Sequence, residues 1–272
     1  MNSKRGTSPE DIYLYDDPDA AGLDVDYLAH WLRERLPRTP VETRRDFLTH
    51  HLGRLGDLER AAHLERLQRD LGAAEVTNLV NPADRDRLPT ELPADRGWDL
   101  VYEGTALQTA LATLLPPEES GAGDVHIVFT VSYLGEWPTD RTLLRLRVLV
   151  PGRPHLVSIS SLIEGLDLPR QYHFMRQQVA MFGMTDMLDE LAEQFSDQAL
   201  GYGDERLNEV LKGLVLQAIF QQLTGDPGCP SPRCRLHTPS SHAQALRTQA
   251  RGHPGLCDRH ASILRSWGGV PE

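Results

Sequence analysis

The sequence predicts a mixed α/β (α+β) fold: a mixed sheet with helices packed on it, closed by a short metal-binding segment at the carboxyl end. Three observations carry this. Short runs of β-forming residues alternate with helical apolar periodicity through most of the 272 residues. All three cysteines lie after residue 228, close to histidines. Proline and glycine clusters punctuate the runs at spacings suited to one continuous domain. The expected organisation is a disordered polar tail over 1–10, an α/β core over 11–223, and a segment over 224–272 that folds around metal and packs on the core.

Along the chain, Ile12, Tyr13, Leu14 and Tyr15 form a strand-type run, stopped by the turn signal Asp16-Asp17-Pro18. Leu23, Tyr27, Leu28, Trp31, Leu32 and Leu36 recur at helical spacing and predict a helix over 24–36, closed by Pro37 and Pro40. A strand over 41–47 completes a β-α-β opening. Leu58, Ala61, Leu64, Leu67 and Leu71 lie on one helical face over 58–71. A charged loop with three prolines is expected over 82–97, a strand over 98–102, and a helix over 105–115 ended by Pro116-Pro117. Strands over 125–131, 143–150 and 155–159 come next; the middle one alternates apolar residues with Arg145 and Arg147, as a half-exposed strand does. Helices over 169–182, resuming to 195, and over 205–223 complete the core.

Composition limits the function. The net charge of -11 opposes the phosphate neutralisation that drives non-specific nucleic-acid binding, so no nucleic-acid partner is expected. No apolar run approaches 18 residues, and the first ten residues lack the apolar stretch of a secretory signal. The expectation is therefore no membrane partner and a cytoplasmic location.

The cysteines give the sharpest signal. Cys229-x4-Cys234 is followed, 22 residues on, by Cys257-x2-His260. Two short-range donor pairs separated by a longer loop is the layout of a closed tetrahedral zinc site. Gly228, Pro230 and Pro232 supply turn chemistry at the first pair, and Gly252, Pro254 and Gly255 at the second. Ser240 or Ser241 is placed to cap a short helix between them. Three thiolates and a neutral imidazole leave the Zn²⁺ site near charge -1, which Arg233, Arg235 and Arg259 stand ready to offset. With all four positions filled by protein, no water remains to activate, so the ion is expected to be structural. Ordinary buried thiols and a Cys229–Cys234 disulfide are the alternatives. His237, His242 and His253 are spare donors nearby.

This C-terminal third resembles the archaemetzincins, zinc metallopeptidases whose active-site helix carries HExxHxxGxxH followed at once by a cysteine that opens a second, structural zinc site. The motif overlap covers about 65 residues, with Cys229, Cys234, Cys257 and His260 in the structural-site positions and histidine replacing the last cysteine. The resemblance implies a metzincin-like mixed sheet and a metallopeptidase ancestry. The catalytic motif, however, departs from the pattern. Counting back from Cys229, the three histidine positions fall on Ala218, Gln222 and Gly228, the glutamate position on Ile219, and only Gly225 matches. Alanine, isoleucine and glycine neither bind zinc nor accept a proton from its water. The catalytic motif is therefore expected to be lost or remodelled and the catalytic residues are unknown. The alternative is a non-catalytic protein-interaction module stabilised by zinc, holding a protein or peptide partner in the old cleft or on the tail, where residues 226–272 carry six arginines against three acids.

Other polar residues read more simply. His126 is expected as a satisfied histidine in a buried strand, His50-His51 as part of a loop or helix end, and Asp16-Asp17 as turn caps. His155 precedes Ser158, Ser160 and Ser161 without a nucleophile-elbow pattern. Gln217, Gln221 and Gln222 either line a former cleft or face solvent or local hydrogen-bond partners, and Leu207, Val210, Leu211, Leu214, Val215, Ala218 and Ile219 form the buried stripe of their helix.

Overall fold

The computed structural model describes residues 8–74, 101–137, 145–164, 170–184, 187–226, 228–250 and 255–271. The expected loop over 82–97, most of the strand over 98–102, and the residues Gly252, His253 and Pro254 lie outside them.

A five-stranded mixed sheet forms the centre, in the order β2-β1-β4-β8-β7. Its strands are β1 (Asp11–Tyr15), β2 (Val41–Arg44), β4 (Asp124–Thr130), β7 (Leu149–Val150) and β8 (His155–Ser158). The first four in the sheet order run parallel, and β7 pairs antiparallel with β8 at one edge. A second sheet, β3-β5-β6, joins β3 (Val101–Glu103), β5 (Tyr133–Glu136) and β6 (Arg145–Leu146). Period-two alternation sends the two faces of β1 to different cores. Ile12 and Leu14 face the larger core with α1 (Val25–Arg35). Tyr13 and Tyr15 face a smaller one with Leu107, Ala110 and Leu111 of the helix Gly104–Ala112.

Local sequence explains the boundaries. Asp24 accepts from Tyr27 N and starts α1. The strand expected over 41–47 stops at Arg44, because Asp46 accepts from Thr49 N and begins α2 (Phe47–Leu52). α3 (Asp57–Ala74) follows, and Gly104–Ala112 is α4. The strand expected over 143–150 is two short pieces that serve different sheets, joined by Arg147 N donating to Leu134 O on one side and Ser158 N donating to Val148 O on the other. Beyond Ser158 the chain turns into a helix, α5 (Ile159–Glu164), capped by the Ser158 hydroxyl accepting from Ser161 N. Two helices, α6 (Arg170–Met181) and α7 (Met187–Gln194), then form a hairpin.

The helix α8 (Leu207–Thr224) crosses the middle of the larger core. Thirteen of its eighteen residues are buried, so it is a central helix rather than one with a single apolar stripe. Gly225, at φ +74°, closes it with its N–H on Gln221 O. Cys229, Cys234, Leu236, Leu246, Leu264 and Trp267 belong to the same buried cluster as α8, so the C-terminal segment and the sheet share one core. None of the described helices is long and apolar enough to cross a membrane.

Candidate metal centre

Two knuckles meet under the end of α8. The first is a turn in which Cys229 N donates to Leu236 O, Cys234 N to Ser231 O and His237 N to Cys234 O. Ser241 then caps a single turn, α9 (His242–Ala245), by accepting from Gln244 N, and a π-type turn over Leu246–Ala250 follows. The second knuckle opens α10 (Asp258–Ser266): Cys257 stands at its N-cap and His260 lies on its first turn. Arg235 N donates to Gly255 O, which ties the knuckles together.

All three cysteines are free thiols. Their sulfurs and one His260 nitrogen lie within 4.8 Å of one another, on residues that are buried or nearly so. Cys229 Sγ is 3.9 Å from Cys257 Sγ, Cys234 Sγ 3.6 Å from His260 Nδ1, and Cys257 Sγ 3.1 Å from His260 Nδ1. Tetrahedral zinc, with Zn–S about 2.3 Å and Zn–N about 2.0 Å, places its ligand atoms about 3.5–3.8 Å apart. The donor set therefore fits one ion of that size.

A residue not evident from the cysteine spacing completes the arrangement. Asp226 Oδ2 accepts from His260 Nε2–H at 3.0 Å and pairs with Arg259 at 2.7 Å. This fixes the tautomer and turns Nδ1, as a lone pair, toward the sulfurs. Burial pushes the Asp226 carboxyl up, but the His260 hydrogen bond and Arg259 outweigh it and hold the group below the usual carboxylate range. Burial pushes the Cys234 thiol up to about 12. At Cys257, burial pushes the thiol up, but the hydrogen bond from the His260 backbone N–H and contacts within the cysteine cluster outweigh it and bring the thiol down to about 7. Of the three arginines expected to offset the site's charge, Arg259 acts through Asp226, Arg235 is buried with its guanidinium 5.5 Å from the Trp31 ring, and Arg233 is exposed.

The end of α8 is occupied differently. Ala218 and Ile219 are fully buried in the core. Gln222 Nε2 donates to Asp124 O at 2.6 Å, and its Oε1 accepts from His155 Nε2–H at 3.0 Å. His155 Nδ1 accepts from Gly152 N at 3.1 Å, so the ring is neutral with its proton on Nε2. Burial takes its pKa down to about 4. Gly228 sits at φ +144°, where a Cβ would come 2.9 Å from Thr238 Oγ1 and 3.1 Å from Leu236 O. A histidine there conflicts with this backbone in both conformation and space.

Residues 8–267 match the family described as "Probable metallopeptidase family (DUF6775)". The chain belongs to that family. Among solved structures it is similar to the crystal structure of archaemetzincin from Methanopyrus kandleri, at 16% identity, with 97% of each chain covered and a TM-score of 0.46. Comparison with the curated proteins gives no match. The metallopeptidase resemblance read from the sequence is thus borne out at the level of the family.

The remaining polar candidates in this metallopeptidase-family chain have local partners. His237 donates Nδ1–H to Cys229 O and takes Gln244 Nε2 on its other nitrogen, and His242 Nδ1 accepts from Leu200 N. Gln217 is buried and donates to His237 O, so it does not face solvent. The hydroxyls of Ser158 and Ser161 hold backbone groups, that of Ser160 takes Tyr202 OH, and none is paired with His155. Asp16 and Asp17 accept from Asp17 N, Asp19 N and Val131 N, which is the capping role expected of them.

His126 is a satisfied histidine in a buried strand, and it belongs to a network that no local motif signals. Its Nε2–H donates to Glu119 O, so its Nδ1 accepts from Tyr15 OH. The Tyr15 oxygen in turn receives Arg44 Nη1 at 2.9 Å and His51 Nε2–H at 3.0 Å. Arg44 and Arg54 both pair with Glu119, Arg44 with its side chain only 5% exposed. Burial pushes Glu119 up, but these guanidinium bonds bring it down to about 2. Burial lowers His51 to about 3.

Proposed function

We propose that Cys229, Cys234, Cys257 and His260 hold one structural zinc ion, and that this chain carries its metallopeptidase-family fold without the helix-borne peptidase chemistry of the archaemetzincins it resembles. The carrying observation is the convergence of four protein donors, with the His260 ring oriented by Asp226. Four protein ligands close a tetrahedral sphere and leave no position for a reactive water. The pairing of Gln222 with His155 supports the second half: the side chain at one histidine position of the archaemetzincin motif is already spent on a neutral imidazole. Ala218 and Ile219, at two other positions, are packed in the core and offer no donor.

Metal analysis and a peptidase assay test this together. The purified chain should contain one tightly bound zinc and leave a quenched-fluorescent peptide library uncut above background. A second tightly bound zinc, with hydrolysis that chelation abolishes, contradicts the proposal.

The alternative, a zinc-stabilised interaction module, has its own support in a groove of about 310 Å³ between β7 and α8, lined by Leu149, Leu162, Leu214, Gln217, Gln221 and Gln249. An open groove beside a helix with no catalytic donors suits binding without turnover.

A further inference from the structure

The α6–α7 hairpin has an inner face and an outer face with different composition. Inside, Leu191, Phe195 and Ala199 form a small core with Tyr172 and Met175, the Tyr172 and Phe195 rings meeting edge-on at 5.4 Å. Outside and at the tip, Phe174 is 60% exposed, Met181 76%, Phe182 69%, Met184 43% and Met187 42%. Phe174 and Met181 are seven positions apart on α6, hence on one face. Gly183, at φ +67°, turns the chain beyond Phe182, and Met184 N returns to Val179 O. The apolar tip is therefore not what holds the hairpin together. Scattered exposed apolar residues need no explanation, but five large ones along one outer face and its tip mark an interaction surface.

Charge selects the occupant. On the α7 side of the tip the sequence from Gly183 to Gln194 has four acids and no lysine or arginine, with Glu190 and Glu193 exposed, while the hairpin's two arginines, Arg170 and Arg176, lie on α6. Anionic lipid is repelled by such a rim. A second copy docked by two-fold symmetry would bring the same acids together. Methionine and phenylalanine give an adaptable apolar surface, and two adjacent helices offer ridges against which a third helix packs. We propose that this hairpin docks a basic amphipathic helix of a partner protein, with its apolar face on Phe174, Met181, Phe182 and Met187 and its cations on Glu190 and Glu193. The inference does not depend on the reading of the zinc centre.

The test uses the full zinc-loaded chain and a fluorescein-labelled leucine–lysine peptide of about five helical turns, with a control peptide of equal composition whose order destroys the apolar face. Anisotropy should show saturable one-to-one binding of the amphipathic peptide and much weaker binding of the control. Met181→Glu with Phe182→Glu should weaken it about tenfold or more. Glu190→Gln with Glu193→Gln should weaken it about threefold and flatten its salt dependence. Phe174→Ser, a milder exposed change, gives the same direction should the double variant fold poorly. Equal binding of both peptides, or unchanged binding by Phe174→Ser and the double variant, overturns the proposal. So does self-association in ultracentrifugation, or sedimentation with anionic vesicles, that Met181→Glu with Phe182→Glu abolishes.

Discussion

Replacing Asp226 with asparagine isolates the contribution of one charge to the metal centre. Asparagine keeps an acceptor oxygen for His260 Nε2–H, so the geometry survives and only the carboxylate charge is removed. The hydrogen bond is 3.0 Å long between a fully buried ring and a side chain that is 9% exposed, so solvent does little to screen it. Hydrogen bonds to charged groups contribute about 1.5–3 kcal/mol, against about 1 for neutral pairs. The difference, about 0.5–2 kcal/mol, corresponds to about 2- to 30-fold weaker zinc binding. Arg259 also loses its partner, but its side chain is 68% exposed, and such a pair adds at most about 0.5 kcal/mol. Competition against a chromophoric zinc chelator reads the change directly. Asp226→Asn should weaken binding by that factor, while Arg259→Gln should move it less than about twofold. Equal effects of the two substitutions, or none from Asp226→Asn, would refute the idea that the carboxylate acts through the imidazole.

Cys257→Ser should leave the purified chain depleted of zinc and open the C-terminal segment to trypsin; a loss of about 5 kcal/mol lowers Tm by about 10–20 °C, read by calorimetry. Gly228→Ala should destabilise by more than about 1 kcal/mol in denaturant titration, because φ +144° and Thr238 Oγ1 both oppose a Cβ. Stability should also fall in acid. His51 and His155 have folded pKa values of about 3 and about 4, depressed from 6.5 first by burial. Their contribution is fully present above pH 6.5 and is lost as pH falls, with the unfolded chain taking up to about two more protons and about 2–4 kcal/mol gone by pH 5. Glu119, held at about 2 against 4.5, adds a further loss below pH 4.5. His51→Phe should remove about one proton from the slope between pH 6.5 and 4, and an unchanged slope would show that His51 titrates normally.

What the sequence revealed depended on how locally each feature is encoded. The strand at Ile12–Tyr15 and the helix begun by Asp24 were legible because period and cap lie within a few residues. The four-residue cysteine–histidine cluster was legible for the same reason, since each of its donor pairs lies within one turn or one helix start. Asp226 was not: it lies 34 positions from His260, and a single acid near a cysteine has no pattern. The Tyr15 network joins three strands, the helix α2 and the turn at Glu119, so each member looks ordinary alone. The strand expected through residue 159 ended early because the Ser158 hydroxyl caps a helix, a signal that the β-branched Ile159 obscured. Gln222 was expected to line a former cleft or to face solvent or a local hydrogen-bond partner, but its partner His155 lies on a strand 67 positions away, beyond the reach of any local pattern. α8 was read as amphipathic, whereas burial on nearly every side makes its polar Lys212 and Gln217 internal; Lys212 is held by Glu209 and Tyr27.

X-ray absorption at the zinc edge on the purified full chain examines the coordination sphere itself. A closed site gives three sulfur neighbours at about 2.3 Å, one nitrogen at about 2.0 Å, and no exchangeable oxygen. A shell dominated by nitrogen and oxygen, with a water that a small inhibitor displaces, would place the metal elsewhere and return catalysis to this fold.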